Sequence, residues 1–150
     1  MKAFIDTNII LEYVLQRERA SEAKRVVLAL SEQGYDMLMS VGGFYTLVFL
    51  IEKYLRQDLH YEKSRRMPTL RNIMKHILQT FYVAEHDNHS LLAGIENLAF
   101  TDLEDSCQYQ VAQKAGCDVF VTFNISDFPV QDDASVKVLT PQQYLSSANS

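Results

Sequence analysis

With 150 residues, 47% of them hydrophobic and 22% charged, the chain has the makings of one globular domain and is too apolar for a disordered segment. Its longest apolar stretch, residues 41–51, falls well short of the ~20 residues a membrane span needs and is interrupted by Gly42, Gly43 and Thr46, so no membrane role is expected. The net charge of −5 argues against a general coat for nucleic acid, but it averages an uneven distribution.

The N-terminus enters a strand directly, Ala3-Phe4-Ile5-Asp6, without the pattern of a secretory leader, which points to the cytoplasm. Thr7-Asn8 then turns the chain into an apolar helix over residues 9–15. Ser21 is a candidate cap for a second helix, with Ala23, Val26, Val27 and Leu30 at helical spacing and Gly34 as its stop. Residues 35–40 read as a second strand, Gly42-Gly43 breaks the pattern, and residues 44–55 make a strongly apolar third helix. A fourth helix is expected over about 68–79, with Pro68 near its first turn.

Residues 81–83 are a brief third strand, followed by a short helix over 87–98. The best-signed helix covers 101–115, where Thr101 and Glu104 match an S/T-x-x-E capping box and Gly116 fits the position after the last turn. A fourth strand over 118–122, a polar loop over 124–127, a fifth strand over 136–139 and a terminal helix opened by Pro141 complete the chain. Strands alternating with helices predict an α/β fold: a single three-layer α/β/α domain over 1–150 with a central, mostly parallel sheet of about five strands. Cys107 and Cys117 lack neighbouring histidines and read as reduced thiols.

The charge is segregated. Lys53, Arg56, Lys63, Arg65, Arg66, Arg71 and Lys75 stand against only Asp58 and Glu62 in that segment, a net +5 that leaves −10 for the rest. Such a segment can present a binding face for RNA or for an acidic partner; the plainer alternative is a pair of solvated helices.

Asp6 ends the first strand, and in open α/β sheets ligands bind beyond the carboxyl ends of strands. An Asp in that position is also an ordinary helix cap. Asp102 and Asp105, three apart, share one helix face with Tyr109 and Ala112. Leu103, Cys107, Val111 and Ala115 are expected to form the apolar face toward the sheet, with Glu104 in that arc folding back onto Thr101. Acids in a first turn also suit the helix macrodipole. Strand four ends at Thr122, with Asn124 and Asp127 just beyond. If strands one and four adjoin where the strand order reverses, Asp6, Asp105 and Asp127 converge, with Asp102, Thr7, Asn8, Thr122 and Asn124 nearby. Gathered carboxylates repel one another unless a cation joins them, and an oxygen-only set favours Mg²⁺ or Mn²⁺ over Zn²⁺. A divalent ion beside a basic ridge is the arrangement phosphodiester hydrolysis needs.

Ala3-Phe4-Ile5-Asp6-Thr7-Asn8, the helix start with Asp105 and Ala112, and Val121-Thr122-Phe123-Asn124 with Asp127-Phe128 together resemble a PIN domain. This is a family of metal-dependent ribonucleases that includes the VapC toxins of bacterial toxin–antitoxin pairs. Asp102-Leu103-Glu104-Asp105 is similar to the D-x-E-D late motif of one subgroup. The resemblance implies that Asp6, Asp102 and Asp105 are catalytic acids holding Mg²⁺ or Mn²⁺, with Asp127 near the position of the last, most variable acid. Ser40 matches the serine at the end of strand two. RNA substrate, often structured, a homodimer and an antitoxin partner are implied in the same way.

Two departures stand out. Most active relatives carry a glutamate on helix three about a turn and a half past the serine; residues 41–46 hold no acid here, and Glu52 lies three turns beyond Ser40. Asn124 and Phe123 stand where relatives often have Asp and Arg. They open a second reading, a PIN-like scaffold with impaired catalysis that binds RNA or a protein partner. A phosphoaspartyl transferase built on Asp6 is a weaker rival, because its general acid would fall at Asn8. His60, His76, His86 and His89 read as surface or capping residues, and Tyr13, Tyr45 and Tyr109 as core-edge aromatics.

Overall fold

In the computed structural model, which describes residues 1–129 and 135–148, one sheet runs through the molecule in the order β3-β2-β1-β4-β5. Its strands are β1 (Lys2–Ile5), β2 (Asp36–Ser40), β3 (Tyr82–Ala84), β4 (Val119–Val121) and β5 (Lys137–Leu139), and every pairing is parallel. The helices are α1 (Thr7–Leu15), α2 (Ala20–Glu32), α3 (Val41–Gln57), α4 (Lys63–Thr80), α5 (Asn88–Glu96), α6 (Leu103–Lys114) and α7 (Pro141–Ala148). The strand order reverses between β1 and β4, which register Ile5 against Val121, so the crevice expected at a switch point opens beyond those two strand ends.

Alternation along the strands divides the core in two. Ala3, Ile5, Met37, Met39, Val119 and Val121 pack with Ile9, Leu30, Leu47, Ile77 and Tyr144 from α1, α2, α3, α4 and α7. Phe4, Leu38 and Phe120 point the other way, toward α6. That second layer is aromatic: Phe4 and Phe120 stack at 4.9 Å between centroids, and Phe128 lies 5.0 Å from Phe120. Each such ring contributes about 1.5–3 kcal/mol by burial alone. Tyr109 belongs to this layer, 2% exposed, with its hydroxyl donating to the Val136 carbonyl at 3.3 Å. Among the described residues no helix is long and apolar enough to cross a membrane.

α1 begins at Thr7 and α2 at Ala20, with the expected cap Ser21 inside the helix, and α3, α4 and α6 also begin elsewhere than the sequence pattern predicts. The glycine pair does not break α3; it forms the first turn. There the Ser40 hydroxyl accepts the Gly43 N–H at 2.9 Å, satisfying one of the amides a helix start leaves unpaired. A Cβ on Gly43 would stand 3.1 Å from both Ser40 Oγ and Thr7 Oγ1, so glycine is what lets the two strand-end turns touch. α4 begins at Lys63, and Pro68 lies inside it rather than in its first turn. The bond Pro68 cannot make would go to Ser64, which is exposed and whose carbonyl can meet water instead.

α6 begins at Leu103, capped by Asp102, whose Oδ1 accepts the Asp105 N–H at 2.9 Å. Thr101 does not cap it. Its hydroxyl turns to Asp127, donating to the backbone oxygen at 3.4 Å or the carboxylate at 3.5 Å. A carboxylate cap gains from the helix dipole where a hydroxyl gains less. The face of α6 also differs from expectation: Asp105, Tyr109 and Ala112 are buried with Val111, whereas Leu103 is 59% exposed. Cys107 turns toward α5, where a Cβ on Gly94 would lie 2.8 Å from its sulfur and 2.9 Å from its Cα. The Ser106 hydroxyl donates to the Gly94 carbonyl at 2.7 Å across the same crossing. α5 thereby fixes the position of α6, and with it Asp105.

Candidate active site

Asp6 makes the turn after β1 with its backbone. Its N–H donates to the Val121 carbonyl at 3.0 Å, and its carbonyl accepts from Ile9 and Ile10 at 3.0 and 3.3 Å. The side chain makes no capping hydrogen bond, which sets aside the simple cap reading. The carboxylate is instead 4% exposed and accepts the Thr122 hydroxyl at 2.7 Å on Oδ2. Thr122 in turn accepts from the Asn124 N–H at 3.1 Å and Asn8 Nδ2 at 3.5 Å, while Asn8 Oδ1 accepts the Phe123 N–H at 3.4 Å. Asn8 and Thr122 thus bolt the ends of β1 and β4 together around one buried carboxylate. Thr7 and Ser40 are buried beside them, and Ser40 is occupied with the start of α3.

A carboxylate removed from water resists ionisation. Burial pushes Asp6 up to about 6, against the pull of the Thr122 hydroxyl and the Thr7 N–H, and Glu104 and Asp102 push it further. Asp105, 9% exposed, is pushed up to about 7 by burial first, then by Asp6, Asp102, Asp127 and Glu104. Asp6 therefore senses Asp102 and Glu104, and Asp105 senses Asp6, Asp102, Asp127 and Glu104, across chain segments that the fold brings together. Near neutral pH the Asp6–Asp105 pair retains part of a proton. Among the described residues, no three His, Cys, Asp or Glu side chains stand close enough to form a ready metal cage.

Two residues read as bystanders in the sequence lie at this site. Glu104 does not fold back onto Thr101; its Oε1 accepts from Gln108 Nε2 at 3.2 Å, and it lines a cleft of 370 Å³ with Ser40 and Thr46. The i, i+4 spacing of Glu104 and Gln108 was the available signal. His86 is not a plain surface residue. It follows β3, half-buried, in the wall of that cleft, and burial pushes its pKa down. Nothing local marks it, because β3 and α3 deliver it to Gly42. His60, His76 and His89 are exposed as expected.

The basic segment lies on α3 and α4, not around Asp6. Lys53 is ~20 Å along α3 from Ser40 at 1.5 Å per residue. Two of its seven bases are committed internally. Arg66 is half-buried, 3.6 Å from Glu52 and donating to the Tyr61 carbonyl at 3.1 Å. Arg65 stacks on the Tyr61 ring at 3.8 Å and donates to its hydroxyl at 3.1 Å. Lys53, Arg56, Lys63, Arg71 and Lys75 stand in water. Glu52, paired with Arg66, is no substitute for the acid missing from the start of α3.

Residues 2–126 match the PIN domain family. Ribonuclease VapC1 of Aquifex aeolicus is 27% identical over 150 residues, covering 95% of this chain and 92% of that protein. The fold is similar to a toxin–antitoxin complex from Klebsiella pneumoniae, with a TM-score of 0.60, 23% identity, and 93% and 97% of the two chains covered. It is similar also to VapBC2 from Rickettsia felis bound to a promoter DNA fragment, with a TM-score of 0.63, 11% identity and 93% and 98% covered. VapC20 of Mycobacterium tuberculosis, a toxin that cleaves the sarcin–ricin loop, gives 0.55, 14% identity, and 87% and 91% covered.

Proposed function

Since this chain belongs to the PIN domain family, we propose that it hydrolyses RNA phosphodiester bonds with Mg²⁺ or Mn²⁺, as the toxin of a toxin–antitoxin pair. The observation that carries this reading is the burial of two carboxyls from distant segments at one crevice: Asp6 at the end of β1, held by the Thr122 hydroxyl, and Asp105 in the first turn of α6, which Asp6 helps to push up. Purely structural acids commonly end up paired with cations, and neither of these carboxyls has a salt-bridge partner among the described residues.

Asp6, Asp102, Asp105 and Asp127 would hold the ion. The donor set fits a hard cation, since it is oxygen only, and a site without a three-ligand protein cage suits Mg²⁺, which commonly keeps water and takes substrate phosphate as further ligands. When bound, such an ion lowers the pKa of water and stabilises charge on the phosphoryl oxygens. The chain's own contribution is positioning. Thr122 fixes the Asp6 carboxylate through its hydroxyl, Asn8 fixes Thr122, and the Asp102 cap fixes the first turn that presents Asp105. Cation binding and proton loss are linked, because the protons that Asp6 and Asp105 hold up to about pH 6 and 7 must leave before both can act as ligands.

The exposed bases of α3 and α4 are assigned to RNA or to the antitoxin. A homodimer belongs to the same proposal, supported by the large exposed apolar side chains Phe49, Leu92 and Ile95. The test is calorimetric titration with Mn²⁺ and Mg²⁺ alongside cleavage of single-stranded and loop RNA. Proton release on metal binding and cleavage that stops in EDTA are expected. Cleavage that survives EDTA defeats the metal-nuclease reading, and failure to bind metal at millimolar concentration leaves the scaffold reading, to which the empty acid position on α3 lends its one specific support.

A further inference from the structure

We propose that the cleft beside the acids, between the start of α3 and the first turns of α6, receives a guanine base of the bound RNA. This rests on the ribonuclease reading and adds a base preference to it. The cleft measures 370 Å³, within the ~300–1,000 Å³ of ordinary ligand pockets. Two of its lining residues adjoin the acids: Ser40 lies across Gly43 from Thr7, the neighbour of Asp6, and Glu104 precedes Asp105, so a base lodged there would belong to a nucleotide near the scissile phosphate.

Its lining suits a base better than a phosphate. Val41, Leu91 and Cys107 make apolar walls, and the Tyr45 ring, 68% exposed, stands at the mouth as a stacking platform. On the α3 side the polar side chains are Ser40, whose hydroxyl oxygen accepts the Gly43 N–H, Thr46, and His86 against Gly42; on the α6 side they are Glu104 and Gln108, one turn apart and joined by the 3.2 Å bond from Gln108 Nε2 to Glu104 Oε1. That bond leaves the carboxylate with accepting capacity and no hydrogen to give. A second anion is repelled by such a wall, while an edge of parallel donors is accepted.

Flipped or unstacked bases are read on their Watson–Crick edges. Guanine presents two adjacent donors there, N1–H and the N2 amine, which a single carboxylate can accept together. Adenine and cytosine set one amine beside a ring-nitrogen acceptor, and uracil sets one N–H between two carbonyls. Each of those three would turn at least one lone pair toward Glu104. The complementarity singles out guanine.

The experiment measures fluorescence anisotropy of a 5′-labelled uridine hexamer carrying one central guanosine, with inosine or adenosine at the same place, binding the full chain in EDTA. Inosine lacks only the N2 amine. Guanosine should bind about tenfold more tightly than inosine, the scale of one good bidentate base contact. E104Q should bring the three within about twofold of one another while its circular dichroism matches the wild type. Y45A should weaken all three alike and keep their ratio. Equal binding of the three hexamers, no binding of any, a preference for adenosine, or a guanosine preference that survives E104Q overturns the assignment. Cleavage in Mn²⁺ is scored separately. Guanosine-selective binding without any cleavage upholds the pocket and fails the ribonuclease reading, whereas cleavage with base-indifferent binding upholds the ribonuclease and fails the pocket.

Discussion

At the ends of β1 and β4, polar side chains from segments as far apart as Asp6 and Thr122, 116 residues in sequence, meet out of water. On α3 and α4, bases from one continuous stretch stand mostly in it. The two regions carry opposite charge of similar size and behave by different rules. In the crevice burial removes water from the carboxyls, so neighbouring acids push up the protonation of Asp6 and Asp105. On the helical hairpin water and salt screen each charge, and a pair is worth ~1 kcal/mol or less. Changes in the crevice should therefore act all-or-none, and changes on the hairpin should be graded.

The sharpest way to break this contrast is D6N combined with D105N. Cleavage of a labelled single-stranded RNA should fall by ~10³-fold or more, the scale seen when a preorganised charged group is removed from a reacting centre. Initial rates near those of the wild type would make the crevice an ordinary wet patch. The single variants should each cost nearly as much as the pair, because residues acting as a unit are not additive.

The crevice also sets how stability depends on pH. Unfolded carboxyls titrate near their ordinary value, whereas Asp6 and Asp105 titrate near 6 and 7 when folded. Between those limits the folded protein binds more protons at these two groups, so their contribution to stability is fully present below about pH 4 and is lost as pH rises through 6 to 7. At 1.36 kcal/mol per unit, the loss from Asp6 alone is on the order of 3 kcal/mol. Urea midpoints measured without metal should decline from pH 5 to pH 8. D105N should flatten the decline and be more stable than the wild type at pH 8, and Mn²⁺ should restore the wild type there. A flat profile would mean that the two acids do not share a poorly solvated site.

What the sequence could disclose follows the same division. Asp6, Thr122 and the switch-point placement were legible because strand ends and strand order follow local patterns and a general rule for parallel sheets. The start of α6 was not, because Thr101 and Asp102 are both good caps and the partner that draws Thr101 away, Asp127, lies 26 residues later. Nor was the buried face of α6: a helix that buries Asp105 and Gln108 while exposing Leu103 defeats any hydrophobic periodicity, and the reason is the site itself. Gly94 gave no hint either, since its need for a missing side chain is set by Cys107 on the facing helix.

That glycine offers the next test. G94V would drive a side chain into the Cys107 backbone, and overpacking of this kind costs ~1–3 kcal/mol. If the crossing positions Asp105, cleavage should fall further than the reduced stability explains when measured well below the unfolding midpoint. G94V with lowered stability and an unchanged rate would show that Asp105 is held by its own helix start and not by α5.

The hairpin should yield the smallest effects, and they separate its bases into two kinds. R71E and K75E change side chains that stand free in water, so each should weaken RNA binding a few-fold without moving the urea midpoint. Each should also reduce the slope of log affinity against log salt by ~1, as expected when one phosphate is left without its cationic partner. R66A is different in kind. It strips a half-buried guanidinium from Glu52 and the Tyr61 carbonyl, so it should lower stability by ~1–2 kcal/mol whatever it does to RNA. Filter binding across a salt series, set beside urea denaturation of the same three proteins, distinguishes the two. If R71E and K75E leave both affinity and salt slope untouched, the exposed bases are only solvent-facing charge, and the RNA path must be sought along the cleft that holds Tyr45.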